Sequence, residues 1–197
     1  TQVNTVIPYY LKFIKKYPNL KSLASANLDD LMLIWSGLGY YSRIKNIHLS
    51  SQIIAREHNY NFPHKYDDIL SLPGIGRTTA SAISTFSGFS NKAILDGNVK
   101  RILIRFYEID EENKTILEKK LWDKSVSITP LKCTSDFIQG MMDIGSVICK
   151  RTNPECCRCP LKSMGCSYNP THKKEKKIKK KIIDIKMNLI VLINQSN

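Results

Sequence analysis

The chain has 197 residues, 42% of them hydrophobic, with nine glycines and eight prolines, which excludes a disordered polymer and leaves room for one or two cored domains. Thirty lysines and arginines against seventeen acids give a formal charge of +13 and point to a polyanionic partner, nucleic acid or an anionic surface. The run KKEKKIKKK at 173–181 holds only +6 of that charge, so +7 belongs to the rest of the chain.

From its first residue the chain runs in helical period: TQVNTVIPYYLKFIKKYP sets Val3, Val6, Ile7, Tyr10, Leu11 and Ile14 on one face and lysines opposite. A helix that starts at Thr1 without cap, leader or methionine reads as part of a longer protein. The same period recurs at Leu28 to Trp35, Ile44-Ile47-Ser51-Ile54, Val99-Ile102-Leu103-Phe106, Ile116 to Val126 and Phe137-Met141-Ile144-Ile148. Each stripe is expected in a core. The joints SGLGYYSR (36–43) and NYNFPHK (59–65) are short, and no strand alternation precedes the cysteines, so the body is expected to be all-α. Beyond Cys166 a basic linker leads to KIIDIKMNLIVLI (181–193), the first β-rich run and the expected opening strand of a second domain. Neither a membrane span nor a signal peptide is visible, which reads as a cytoplasmic protein.

Three stretches carry chemistry. In LPGIGRTTA (72–80) proline ends one helix, and two glycines let the backbone turn and aim N–H groups together at the start of the next. Such a helix start suits an anion, and a ligand-free turn is the plainer alternative. In ILDGNVKR (94–101) Asp96 precedes a helix whose Lys100 and Arg101, like Arg105 beyond them, avoid the apolar stripe. It reads as an N-cap, a carboxylate held ionised at a cleft, or both. Cys149, Cys156, Cys159 and Cys166 stand at C-x6-C-x2-C-x6-C and are expected to close around one centre, either zinc or an iron–sulfur cluster. Cys157 and Cys133 are expected to be buried, inert thiols.

Together with TQVNTVIPYY, WSGLGYYSR and FIQGMMDIGSVIC, these stretches resemble the A/G-specific adenine DNA glycosylases of the endonuclease III (helix–hairpin–helix, iron–sulfur) superfamily. The resemblance covers about residues 1 to 170. It implies a six-helix barrel with the hairpin at 1–91, a second helical lobe with the cysteine loop at 92–170, a linker at 171–181, and the first strand of a Nudix-like domain at 182–197. A [4Fe-4S] cluster on Cys149, Cys156, Cys159 and Cys166 is implied as cofactor. The implied partner of this monomer is double-stranded DNA with A:8-oxoguanine or A:G mispairs, nucleoid-associated in a bacterium.

Residue by residue, the resemblance implies that Gly74, Ile75 and Gly76 hold a phosphate through backbone amides, with Arg77 as a further contact or a solvated arginine. Tyr40 is implied to wedge into the base stack, against plain aromatic packing beside Tyr41. Asp96, helped by Asn98, would stabilise the sugar cation. Thr78 stands where the bifunctional glycosylase/lyases look like LPGVGRKTA, and a threonine forms no imine, which implies monofunctional hydrolysis by water. The family's general-acid glutamate lies in a segment resembling SEVMLQQ that runs directly into TQV, upstream of Thr1. The family's last cysteine spacing is x5, whereas this chain has x6 through PLKSMG. A DNA-binding module without chemistry, and an endonuclease III-like glycosylase/lyase, are the competing readings.

Overall fold

The computed structural model describes residues 3–169, which are all-α: nine α-helices, a π-helical turn and two short 3-10 turns, with no strand among the described residues. The expected linker and strand at 171–197 lie outside the described residues. No helix among the described residues is long and apolar enough to cross a membrane.

Helices α1 (Val3–Lys16), α2 (Leu20–Ala24), α3 (Leu28–Trp35) and α4 (Tyr41–Glu57) form the first group. Asparagine side chains start two of them: Asn19 accepts from the Ser22 amide and Asn27 from the Asp29 amide, each supplying an acceptor that the first turn lacks. Tyr17, Leu23, Leu31 and Ile44 form their buried cluster. The α1 stripe is rotated from its expected position. Ile7, Tyr10, Leu11 and Ile14 are exposed, while Phe13 packs with Tyr17 against the α3 side. The ring contact of Phe13 and Tyr17, centroids 5.7 Å apart, decides which face turns inward.

Helices α5 (Tyr66–Ser71) and α6 (Arg77–Phe86) make the hairpin. Helices α7 (Gly97–Phe106), α8 (Lys114–Ile128) and α9 (Thr134–Asp143) enclose a second buried cluster of Ile94, Leu95, Val99, Ile102, Leu103, Leu121, Trp122, Ile138 and Met141. Helix α6 touches α9, and so joins the hairpin to this group.

Several expectations need correction here. Ile47, Ile116 and Val126 are exposed rather than in a core. Arg105 does not avoid the buried side of α7; it is only 7% exposed. Cys133 and Cys157 are exposed, not buried. The expected helix through Ile148 stops being an α-helix at Asp143: residues Ile144–Ile148 form a π-helical turn, closed by the Cys149 amide donating to the Ile144 carbonyl at 2.6 Å.

Candidate active site and cysteine loop

In the hairpin, Pro73 follows the last residue of α5's cap and Gly74 takes φ +74°, a conformation in which glycine carries no steric penalty. Space is short as well: a Cβ at position 74 would sit 2.2 Å from Asn46 Nδ2 and 3.1 Å from Asn46 Cβ on α4, so the Asn46 side chain would have to move. Asn46 thus seats the turn, a role its sequence context did not reveal. The Ile75 amide donates to the Leu72 carbonyl at 3.1 Å, so it closes the turn and is not one of the open donors expected there. Gly76 caps α6 with no side-chain hydrogen bond, which leaves the helix start open to an outside acceptor.

The next two residues tie the hairpin to the second group. Thr78 Oγ1 donates to the carbonyl of Leu95 at 3.2 Å, which sets α6 beside the residue preceding Asp96. The Arg77 guanidinium lies 3.8 Å from the ring centroid of Trp122, a cation–π contact across to α8. Arg77 is exposed, with its guanidinium resting on the Trp122 ring.

Asp96 is the N-cap of α7. Its Oδ1 accepts from the amides of Asn98 at 3.1 Å and Val99 at 2.8 Å, and its Oδ2 accepts from Asn98 Nδ2 at 3.1 Å. These three hydrogen bonds hold the side chain in one place, so capping and a functional role are compatible. Asn98 is held in turn by Arg101, whose Nη2 donates to Asn98 Oδ1 at 2.8 Å. The same guanidinium reaches the carbonyls of Cys149 at 2.7 Å and Gly145 at 2.5 Å. A continuous chain of hydrogen bonds thus runs from Asp96 through Asn98 and Arg101 to the first cysteine.

Cys149, Cys156, Cys159 and Cys166 line one cavity with Ile102, Arg105 and Leu161. Burial pushes the Cys156 thiol above its ordinary pKa, and the neighbouring Cys149, Cys159 and Cys166 push it the same way. Among the described residues no three His, Cys, Asp or Glu side chains are arranged to hold a single metal ion. Arg105 supports the loop from below: Nη1 donates to the Lys150 carbonyl at 2.7 Å and lies 3.3 Å from Cys149 Sγ, while Nη2 donates to the Arg151 carbonyl at 3.2 Å. Its other face stacks on Tyr168 at 4.5 Å. Glu155 fastens the loop's outer edge to Lys150 and Arg158, both at 2.6 Å, and these cations lower its pKa. The visible signal for Arg101 and Arg105 is two arginines four apart, on one face of the helix GNVKRILIRF.

Tyr40 stands apart from this network. It is 67% exposed, takes φ +51°, and has Arg43 4.7 Å from its ring centroid. A non-glycine residue in that region is uncommon and is held only where its surroundings fix it. Here Trp35 Nε1 donates to the Gly39 carbonyl at 3.0 Å and pins the loop just before it.

The model of the HhH-GPD superfamily of base excision DNA repair proteins matches residues 1–125. A protein named adenine DNA glycosylase from Buchnera aphidicola subsp. Baizongia pistaciae is 51% identical over 168 residues, 85% of this chain and 48% of its own. The protein of that name from Buchnera aphidicola subsp. Acyrthosiphon pisum is 48% identical over 202 residues, 100% of this chain and 57% of its own. The Homo sapiens protein of that name is 34% identical over 166 residues, 83% of this chain and 30% of its own. The chain thus spans about half the length of the bacterial relatives. Among solved structures, a thermostable thymine-DNA glycosylase superposes with TM-score 0.77 at 25% identity, over 85% of this chain and 77% of that one. Endonuclease III from a non-covalent DNA complex shares the fold, with TM-score 0.70 at 22% identity, over 83% of this chain and 75% of that one. With the hairpin, the capping aspartate and the match over 1–125 in agreement, the chain belongs to the HhH-GPD superfamily of base excision DNA repair proteins.

Proposed function

We propose that these residues form the DNA-gripping and base-excising part of a monofunctional adenine DNA glycosylase acting on A:8-oxoguanine and A:G mispairs. The carrying observation is the pairing of a fully hydrogen-bonded Asp96 with a threonine, not an amine, at position 78 beside it. The flipped adenosine's sugar gains positive charge as the N-glycosidic bond breaks, and the Asp96 carboxylate stabilises that charge from a fixed position. Asn98 keeps the carboxylate aimed. The proton that adenine needs comes from the glutamate which the family resemblance places upstream of Thr1. Water attacks C1′, because Thr78 offers no nitrogen for an imine.

The open start of α6 holds a DNA phosphate through the amides around Gly74 and Gly76, and Arg77 adds a charge that Trp122 keeps in register. Tyr40, exposed at the tip of a pinned loop, is the wedge beside the vacated base. Cys149, Cys156, Cys159 and Cys166 hold a [4Fe-4S] cluster. The donor set fits: four thiols line one cavity, and thiolates are the ligands such a cluster takes. When bound, the cluster supplies covalent closure of a loop that otherwise rests on Arg105 and Glu155. The protein acts as a cytoplasmic, nucleoid-associated monomer, divided into the hairpin lobe 1–91 and the cysteine lobe 92–170.

The hairpin contact predicts that Gly74→Ala lowers duplex affinity about tenfold, because a left-handed Ala costs about 1–2 kcal/mol and the methyl must displace Asn46. Fluorescence anisotropy on a labelled duplex measures this, and unchanged affinity removes the turn from the interface. Borohydride trapping, done with a chain extended to include that upstream glutamate, separates the monofunctional reading from the endonuclease III-like one. We expect an intact abasic strand and no covalent adduct; a trapped complex would assign the chain to the glycosylase/lyases.

A further inference from the structure

Gly145 is buried in the π-helical turn and has no unusual φ, so backbone conformation alone gives no reason for glycine there. In a helical setting alanine is the better helix former. The reason is contact: a Cβ at 145 would stand 2.4 Å from Asn98 Cβ, 3.0 Å from its Cα and 3.1 Å from its Cγ. Cα and Cβ do not leave by rotating χ1. Relief would have to come from moving the first turn of α7 itself, and that turn supplies the Asn98 and Val99 amides that hold Asp96. The wider π turn also presents the Gly145 carbonyl to Arg101 Nη2, the same nitrogen that holds Asn98 Oδ1.

We infer that Gly145 is a positioning residue for Asp96. The π turn that leads into Cys149 presses a bare α-carbon onto Asn98 and sets where the aspartate stands. The bond chain through Arg101 pulls Asn98 toward the turn, and the absent side chain at 145 lets it arrive. This inference rests on the proposed role of Asp96, and the test separates the two.

In the 197-residue chain, Gly145→Ala is expected to speed hydrogen exchange of the Val99 amide at least tenfold, with little change at Ile116, capped independently by Asn113. Adding Asn98→Gly, which removes the Cβ and Cγ that the methyl meets and leaves only the Cα at 3.0 Å, is expected to shrink the effect of Gly145→Ala severalfold. Exchange at Val99 unchanged by Gly145→Ala, or accelerated equally with Asn98→Gly present, overturns the inference. If Gly145→Ala fails to fold where Asn98→Gly alone folds, the double variant decides: recovery supports the steric link and continued failure overturns it. The activity arm uses a chimera in which the Baizongia pistaciae relative supplies the flanking segments. There Gly145→Ala is expected to slow single-turnover adenine release about a hundredfold at unchanged duplex affinity, as a misplaced group of roughly 1 Å does. Faster exchange at Val99 with full adenine release would leave the positioning inference standing and remove Asp96 from the chemistry.

Discussion

Asp96→Asn is expected to lower single-turnover adenine release about a thousandfold while leaving duplex affinity within about twofold, since loss of one fixed electrostatic group is worth that order. The substitution is informative because it is structurally mild. Asparagine is as good an N-cap as aspartate, so an Oδ1 acceptor for the Asn98 and Val99 amides persists. The new amide nitrogen faces Asn98 Nδ2, two donors in place of a donor and a carboxylate, at a cost of about 1 kcal/mol. The measurement is done in the chimera, with a glutamate at the upstream position that the family resemblance implies. Turnover comparable to the parent would take Asp96 out of the reaction and leave it as a helix cap.

The second large effect concerns the cysteine loop. Arg105→Ala withdraws a buried guanidinium from the carbonyls of Cys149, Lys150 and Arg151 and from the ring of Tyr168. Stranded carbonyls cost about 1–3 kcal/mol each when no partner replaces the lost one, and water entering the loop offsets part of that. The expected destabilisation is on the order of 3 kcal/mol by urea unfolding, and the cluster proposed for this loop is expected to be lost with it. Arg105→Lys is not expected to restore the loop, because a single ammonium cannot span the three carbonyls that the planar fork serves. An unfolding midpoint equal to the parent's would mean that the loop stands on Arg101 and Glu155 alone.

The features legible in the sequence are those whose chemistry is local. Proline and two glycines announce the hairpin because they forbid helix and permit the turn within five residues. Asp96 announces itself as a cap because the amides it holds are two and three residues away. The features that were missed depend on partners far along the chain. Arg105 read as a surface charge because its acceptors lie 44 to 46 residues later, in the cysteine loop. Gly145 and Asn46 looked ordinary because each is defined by one close approach, to Asn98 and to Gly74, that periodicity does not encode. The α1 stripe was misjudged for a related reason. Val6, Tyr9, Phe13 and Tyr17 make a second apolar stripe beside Ile7, Tyr10, Leu11 and Ile14, so the sequence allows two faces, and the contact of Phe13 with Tyr17 selects between them. The π turn left no trace either, since one additional residue in a helical turn alters no residue type.

The most direct test of the account is a single-turnover assay of the chimera on three duplexes: adenine opposite 8-oxoguanine, adenine opposite thymine, and an oxidised pyrimidine opposite guanine. The account predicts an alkali-labile abasic site from the first duplex alone, and its loss with Asp96→Asn. Release of the oxidised pyrimidine, or equal adenine release from the first two duplexes, would contradict it.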